Sequence, residues 1–160
     1  MFGVRRLSRG ALACCDDGFM GESVTVAWDW RPCGLVALVD GKLAFPRVPG
    51  TAGVYRLTFQ DGCGGSAGVY VGEADLLPRR FQHYRTPGAS QQTNLRLNPV
   101  MASTLAAGGR IAVDIATSAQ LMAADGSAVP LDLTWKAARV LVERAAEVAE
   151  RTAGVLVLNK

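Results

Sequence analysis

The sequence predicts a mixed α/β (α+β) fold: a small, mostly antiparallel β-sheet flanked by helices and preceded by a β-type extension. Three observations carry this. Two short β-type runs, TAGVYRLTFQ (51–60) and AGVYVG (67–72), flank DGCGGS, whose glycines suit a reversing turn, so the pair reads as a β-hairpin. DLLPRRFQHYR (75–85) follows, with Leu77, Phe81 and Tyr84 at helical spacing. A C-terminal stretch from near Asp132 repeats its apolar residues with a helical period.

Taken in order, residues 1 to 22 show no periodicity. SVTVAWDW and GLVALVDGKLAF read as strands joined by a turn around Arg31-Pro32, a hairpin within an N-terminal extension covering residues 1–48. Pro46, Pro49 and Gly50 then punctuate the chain and open a second region, 49–160. In the helix after the central hairpin, Asp75 suits the N-cap and Pro78 falls in the first turn, where its missing N–H costs least. Arg80, His83 and Tyr84 stand at i, i+3 and i+4, which puts a guanidinium, an imidazole and a phenol on one edge. TPGASQQTN reads as loop, Asn94 or Asn98 with Pro99 opens a second helix through MASTLAAG, and RIAVDIAT is a strand. LMAADGSAVPLD is a further loop. Trp135, Ala138, Val142, Ala145 and Ala149 form the apolar stripe of the last helix, Gly154 stops it, and VLVLN closes the chain as an extended end.

A chain of 160 residues suits one domain, and 49% apolar with 19% charged residues is ordinary for a globular protein. No apolar run reaches the roughly 18 residues of a membrane span. GALACC is shorter than a signal-peptide core, so the expected location is cytoplasmic. Cys14, Cys15, Cys33 and Cys63 form no C-x-x-C pair, and His83 is the sole histidine, so zinc-site spacing is missing and reduced thiols are expected. The net charge of +3 decides little. Its distribution decides more: from Leu76 to Val113 there is no Asp or Glu, while Arg79, Arg80, Arg85, Arg96 and Arg110 all fall inside. Such a stretch suits a polyphosphate partner, with Arg79, Arg85 and Arg96 as candidate nucleic-acid contacts.

Gly53-Val54-Tyr55 and Tyr70-Val71-Gly72 sit on the two strands of the hairpin, Arg80 follows Tyr70 by ten residues, and Glu143 and Asn159 come late. In these residues the chain resembles the GIY-YIG nuclease family, over roughly its last two-thirds. The resemblance implies a small sheet flanked by helices that hydrolyses DNA phosphodiester bonds with Mg²⁺ or Mn²⁺; RNA offers the same backbone charge. It implies that Tyr55 helps take a proton from the attacking water, that Tyr70 positions water or phosphate, and that Tyr84, or His83 beside it, fills a position held by Tyr or His. Gly53, Gly72 and Asn159 support this set. The chain departs from the tightest family hairpins in its longer Gly-rich turn and in the length between the arginine helix and the glutamate helix.

The chemistry stands beside the resemblance. An anionic diester repels hydroxide, so its hydrolysis needs a positive centre, an activated water and charge relief at the leaving oxygen. Arg80 offers a planar fork matched to phosphate oxygens. Glu143 offers a hard oxygen for a divalent cation, with Glu147 as the alternative ligand. Taken alone, Arg139, Glu143 and Glu147 at i, i+4 and i+8 also fit a salt-bridged solvent face. Two other functions fit the same chain: a nucleic-acid-binding module without turnover, and a domain that binds a protein partner through Trp28, Trp30 and the N-terminal strands.

Overall fold

The computed structural model describes residues 24–123 and 126–159. Cys14, Cys15 and the opening arginines lie outside them. The fold is mixed α+β, with antiparallel sheets flanked by three helices.

The central hairpin forms as expected and runs longer. β5 (Gly53–Gln60) pairs with β6 (Ser66–Ala74) across a turn in which Asp61 accepts the N–H groups of Cys63 and Gly65. β7 (Arg110–Ala116) pairs on the other side of β5, and β2 (Arg31–Leu35) on β7, giving the order β2-β7-β5-β6. Arg31 and Pro32 are therefore strand residues and not a turn. The edge position explains it, since Pro32 has no N–H to give a neighbour and an edge strand tolerates that. Two of the strands before Gly50 join the sheets of the second region, because β1 (Thr25–Trp28) pairs with β8 (Ala119–Met122) and β2 with β7. The boundary at residues 48 and 49 thus divides the sequence and not the sheets. The hairpin before it lies within GLVALVDGKLAF instead: β3 (Ala37–Val39) and β4 (Lys42–Ala44) meet at Asp40-Gly41, both with positive φ, the conformation a two-residue hairpin turn needs. LMAADGSAVPLD, expected as loop, contributes β8 and β9 (Ala128–Pro130), which pair with each other.

α1 (Leu77–Arg85) buries Leu77, Phe81 and Tyr84, as the spacing predicts. Asp75 does not cap it. The N-cap is Leu76, and Asp75 forms an ion pair with Arg79 one turn on. α2 (Gln92–Ala106) starts before Asn94 and carries Pro99 inside it, so Pro99 does not open the helix. α2 is tied to α1 by Asn98, whose amide donates to the Tyr84 carbonyl at 2.6 Å. α3 (Lys136–Thr152) starts four residues after Asp132, which instead accepts from the N–H and hydroxyl of Thr134. Its buried residues are Ala138, Arg139, Val142, Ala146 and Glu147, so the stripe is rotated from the expected one: Trp135 is 70% exposed and Ala149 is exposed. Gly154 (φ 78) ends the helix, with N–H groups of Gly154 and Val155 returning to the carbonyls of Arg151 and Glu150.

The four-stranded sheet has a core on each face. Tyr55, Leu57, Phe59 and Tyr70 point to the side of α1, α2 and the β3–β4 hairpin. Val54 and Val71 point to the other, where Val142 and Ala146 of α3 pack with Leu133 and Ala119. Trp28 and Trp30 are half-buried against this second core, with Arg56 stacked 5.0 Å over the Trp30 ring. Trp28 also lines an open, mainly apolar cavity with Val24, Val26, Leu141 and Val148. Among the described residues no helix is long and apolar enough to cross a membrane.

Candidate functional site

β6 is an edge strand, with α1 on one face of the sheet and α3 on the other. A cleft of about 660 Å³ opens beside its last residues. β6 contributes Tyr70, Gly72 and Glu73, α1 contributes Arg79, Arg80 and His83, and α3 contributes Lys136, Arg139 and Glu143. A second cavity of about 460 Å³ shares Tyr70 and Glu143 with the first and adds Gln92, Thr93, Arg96, Arg144 and Asn159.

The motif tyrosines do different things. Tyr55 is wholly buried, and its ring lies across the strand from Gly72. A Cβ on Gly72 would stand 2.9 Å from Tyr55 Cε1 and closer still to the hydroxyl, so the strand approaches the ring as only glycine allows. Gly53 is similarly confined, with the Ala116 carbonyl oxygen 2.7 Å from where its Cβ would lie. The Tyr55 and Tyr84 hydroxyls are 2.8 Å apart. Arg80 donates Nε–H to Tyr55 at 2.8 Å and Nη2–H to Tyr84 at 3.1 Å, with its guanidinium 4.7 Å from the centre of the Tyr84 ring. A guanidinium has five N–H groups. Two are used here, which leaves three on a side chain that lines the cleft.

Burial raises the Tyr55 pKa first, Tyr70 adds to the rise, and Arg80 opposes it without reversing it. Tyr84 is raised likewise, by burial and then by Tyr55. Both phenols therefore keep their protons at neutral pH. The lowering that the Arg80 charge exerts on Tyr55 is outweighed because the ring is fully desolvated. Burial works against the charge on Arg80, yet Tyr55 and Tyr84 hold its pKa above the ordinary value.

The two candidate glutamates also separate. Glu147 is 6% exposed and is engaged: Arg144 donates to both of its oxygens at 2.9 Å, and the Asn159 amide donates to Oε1 at 2.6 Å. Asn159 also donates to the Val71 carbonyl at 2.7 Å and accepts the Val71 N–H at 3.0 Å, so it fastens α3 to β6. Glu143 is half-exposed, lines both cavities, and hydrogen-bonds to nothing among the described residues. Burial raises its pKa, Arg144 opposes this, and Glu147 and Glu73 add to it. A free carboxylate in a polar cleft suits a hard divalent cation. Among the described residues no three His, Cys, Asp or Glu cluster around a common point, so the chain would offer a single carboxylate, the arrangement in which water and substrate oxygens complete a Mg²⁺ shell.

The arginines from the acid-free stretch divide. Arg79, Arg80 and Arg96 line the joined cavities, with Arg96 also donating to the Leu158 carbonyl at 3.1 Å. Arg85 does not join them. It lines a separate cavity of about 230 Å³ with Phe45, Pro46 and Arg47, because it lies on the flank of α1 turned from the cleft. Sequence reasoning missed Glu73 and read Arg139 only as part of a solvent face. Arg139 is 5% exposed, donates Nε–H to Glu73 at 2.6 Å, and donates to the Leu133 and Thr134 carbonyls ahead of α3. Period-two alternation was the available signal: Glu73 falls two residues after Val71, on the face turned to α3. Lys136, at the start of α3, was missed as well.

No family model matches the chain, and no curated protein does. Among solved structures, a mutant of bacteriophage T4 EndoII resembles it at 15% identity over 72% of this chain and 86% of that one, with a TM-score of 0.48. A likeness of that depth assigns neither fold nor activity here.

Proposed function

We propose that this chain is a metal-dependent endonuclease that hydrolyses DNA phosphodiester bonds in the cleft beside β6. One observation carries the reading: Arg80, oriented by two buried phenols with three N–H groups to spare, shares a cleft with Tyr70 and with the free carboxylate of Glu143.

In this reading Arg80 clamps the phosphoryl oxygens. Its two bonds to Tyr55 and Tyr84 fix the fork in place, so little reorganisation accompanies the build-up of charge at phosphorus. Tyr70 is the motif phenol that lines the cleft, and it hydrogen-bonds the attacking water. Tyr55 is a positioning residue for Arg80 and not the group that meets water. His83 lines the cleft where Tyr84 does not, and in this reading it returns a proton to the leaving oxygen. Glu143 would hold Mg²⁺ or Mn²⁺, which when bound supplies Lewis-acid charge relief to the phosphate. Glu147 and Asn159 keep α3 and β6 in register so that Glu143 faces Tyr70.

The test is cleavage of plasmid and branched DNA, with RNA beside them, in Mg²⁺ and in EDTA. Wild type should cut only with metal, and Arg80→Ala and Glu143→Gln should each lose about 10²–10³-fold or more in rate. Cutting in EDTA, or by Glu143→Gln at the wild-type rate, would overturn the assignment. Salt-dependent binding by a wild type that never cuts would replace hydrolysis with binding as the function.

A further inference from the structure

The proposed reaction uses Arg80, Tyr70 and Glu143 but leaves the second cavity without a role. That cavity is not an isolated dent. It meets the first at Tyr70 and Glu143, the pair at which the reaction is placed, and runs on toward the start of α2. The reacting position therefore lies at the middle of a groove and not at its end.

The two arms have similar chemistry from different elements. In the first, Arg80 serves the reaction, Arg79 is neutralised by Asp75 and Arg139 by Glu73, which leaves Lys136 as the further cation with no carboxylate partner among the described residues. In the second, Arg144 is neutralised by Glu147, which leaves Arg96. Arg96 donates Nη1–H to the Leu158 carbonyl, a bond that fixes the side chain without cancelling its charge. Gln92 and Thr93 add neutral donors beside it, and apart from Glu143 no acid lines this arm. Apart from Arg80, which the reaction already uses, each arm thus presents one uncompensated cation on its own side of the reacting position.

Resting on the nuclease reading, we infer that a nucleic-acid strand passes through this groove from end to end, with Arg96 holding a backbone phosphate on one side of the bond that is cut and Lys136 holding one on the other. Phosphate contacts of this kind set register and orientation and carry no base sequence. Arg96 and Lys136 are binding residues on this account, so their loss raises KM and leaves kcat in place. Substrates that end at the cut bond on either side are poor ones.

The experiment uses a fluorescein-labelled branched DNA duplex, read by anisotropy over a salt series and by cleavage kinetics. Arg96→Ala and Lys136→Ala should each weaken binding about tenfold, as expected for loss of one charge-assisted contact, and should each lower the slope of log affinity against log salt by about one. KM should rise with kcat within twofold of wild type. Lys42→Ala, on β4 and lining neither cavity, should change nothing. Because Arg96 also holds the Leu158 carbonyl, a protein-independent arm is included: single methylphosphonates on either side of the mapped cut should weaken the intact wild type to the same degree. If wild type cuts while the Arg96 variant and both methylphosphonates behave as controls, the through-groove fails and the nuclease stands. If wild type binds with the expected loss in both variants but never cuts, the nuclease fails and the groove stands. An effect of Arg96→Ala on kcat alone, or no DNA binding by wild type, overturns the inference.

Discussion

The two faces of the central sheet are held in different ways. On the α1 face, rings do the packing: Phe45 stacks on Phe81 with centroids 4.9 Å apart, and Tyr55 meets Phe81 edge-on at 5.3 Å. On the α3 face the buried apolar residues are mostly alanine and valine, with Trp28 and Trp30 only half-buried at its margin, and charged groups span the gap. Arg56 reaches Asp114 at 2.9 Å and Glu150 at 2.6 Å, and Arg139 reaches Glu73. A buried large ring contributes about 1.5–3 kcal/mol through area alone. A buried ion pair has to recover its desolvation before it contributes anything. What the ionic face gains is orientation. The bonds of Arg139, Arg56 and Asn159 each connect α3 to another element at a fixed point, and they set which residues of the helix face the cleft.

Breaking the ring layer should have the largest effect. Gly72→Ala drives a methyl into the buried Tyr55 ring, and overpacking at a site that cannot yield costs about 3 kcal/mol. Urea denaturation should show the midpoint falling with the m-value unchanged; a variant as stable as wild type would mean that the ring layer is looser than described.

Next comes the ionic layer. Arg139→Met leaves Glu73 and two carbonyls without their donor, and about 2 kcal/mol should be lost, less than for a fully buried pair because Glu73 keeps some solvent. The same variant should lower cleavage more than its stability loss explains, since the start of α3 is no longer fixed against β6. Equal cleavage at a temperature where both proteins are folded would show that orientation is set elsewhere.

The smallest effect sharpens the contrast. Glu143 sits in the ionic layer and pairs with nothing among the described residues. Burial raises its folded pKa, so ionisation is harder in the folded state, and its contribution falls as pH rises above the ordinary value of 4.5 and stays low beyond the folded pKa. Glu143→Gln should therefore melt slightly higher than wild type at pH 7, and the difference should vanish below pH 4.5. A lower melting temperature at pH 7 would mean that the carboxylate has a structural partner.

The ring layer was largely legible in the sequence and the ionic layer was not. Leu77, Phe81 and Tyr84 announce a helix face because a large apolar side chain contrasts with Arg79, Gln82 and Arg85 around it. α3 gives no such contrast. Alanines occupy four of the positions that decide its phase, 138, 145, 146 and 149, and alanine reads equally well inside or out. The face is set instead by Arg139 and Glu147, whose charge argues for solvent until their partners are known. Glu73 lies 66 residues from Arg139, and Asn159 lies on the far side of the helix stop from Glu147. Arg31-Pro32 failed as a turn for a related reason, since its pairing partner in β7 is remote in sequence. Within the candidate site, spacing alone brought Arg80 and Tyr84 together. That Tyr55 is sealed away while Tyr70 faces the cleft depends on which strand lies at the edge, which no short motif encodes.

The short segment after Gly154 does more than end the chain. Val157 forms a parallel bridge with Val69, and the Val69 N–H and carbonyl are taken by Leu156 and Leu158. The outer side of β6, with its run of apolar residues, is thereby closed to a strand from another molecule. At the opposite margin, Pro32 and the irregularity before Gly34 interrupt β2. An open sheet with both borders blunted in this way resists edge-to-edge association, and it does so while leaving the last residues of β6 open to the cleft between α1 and α3.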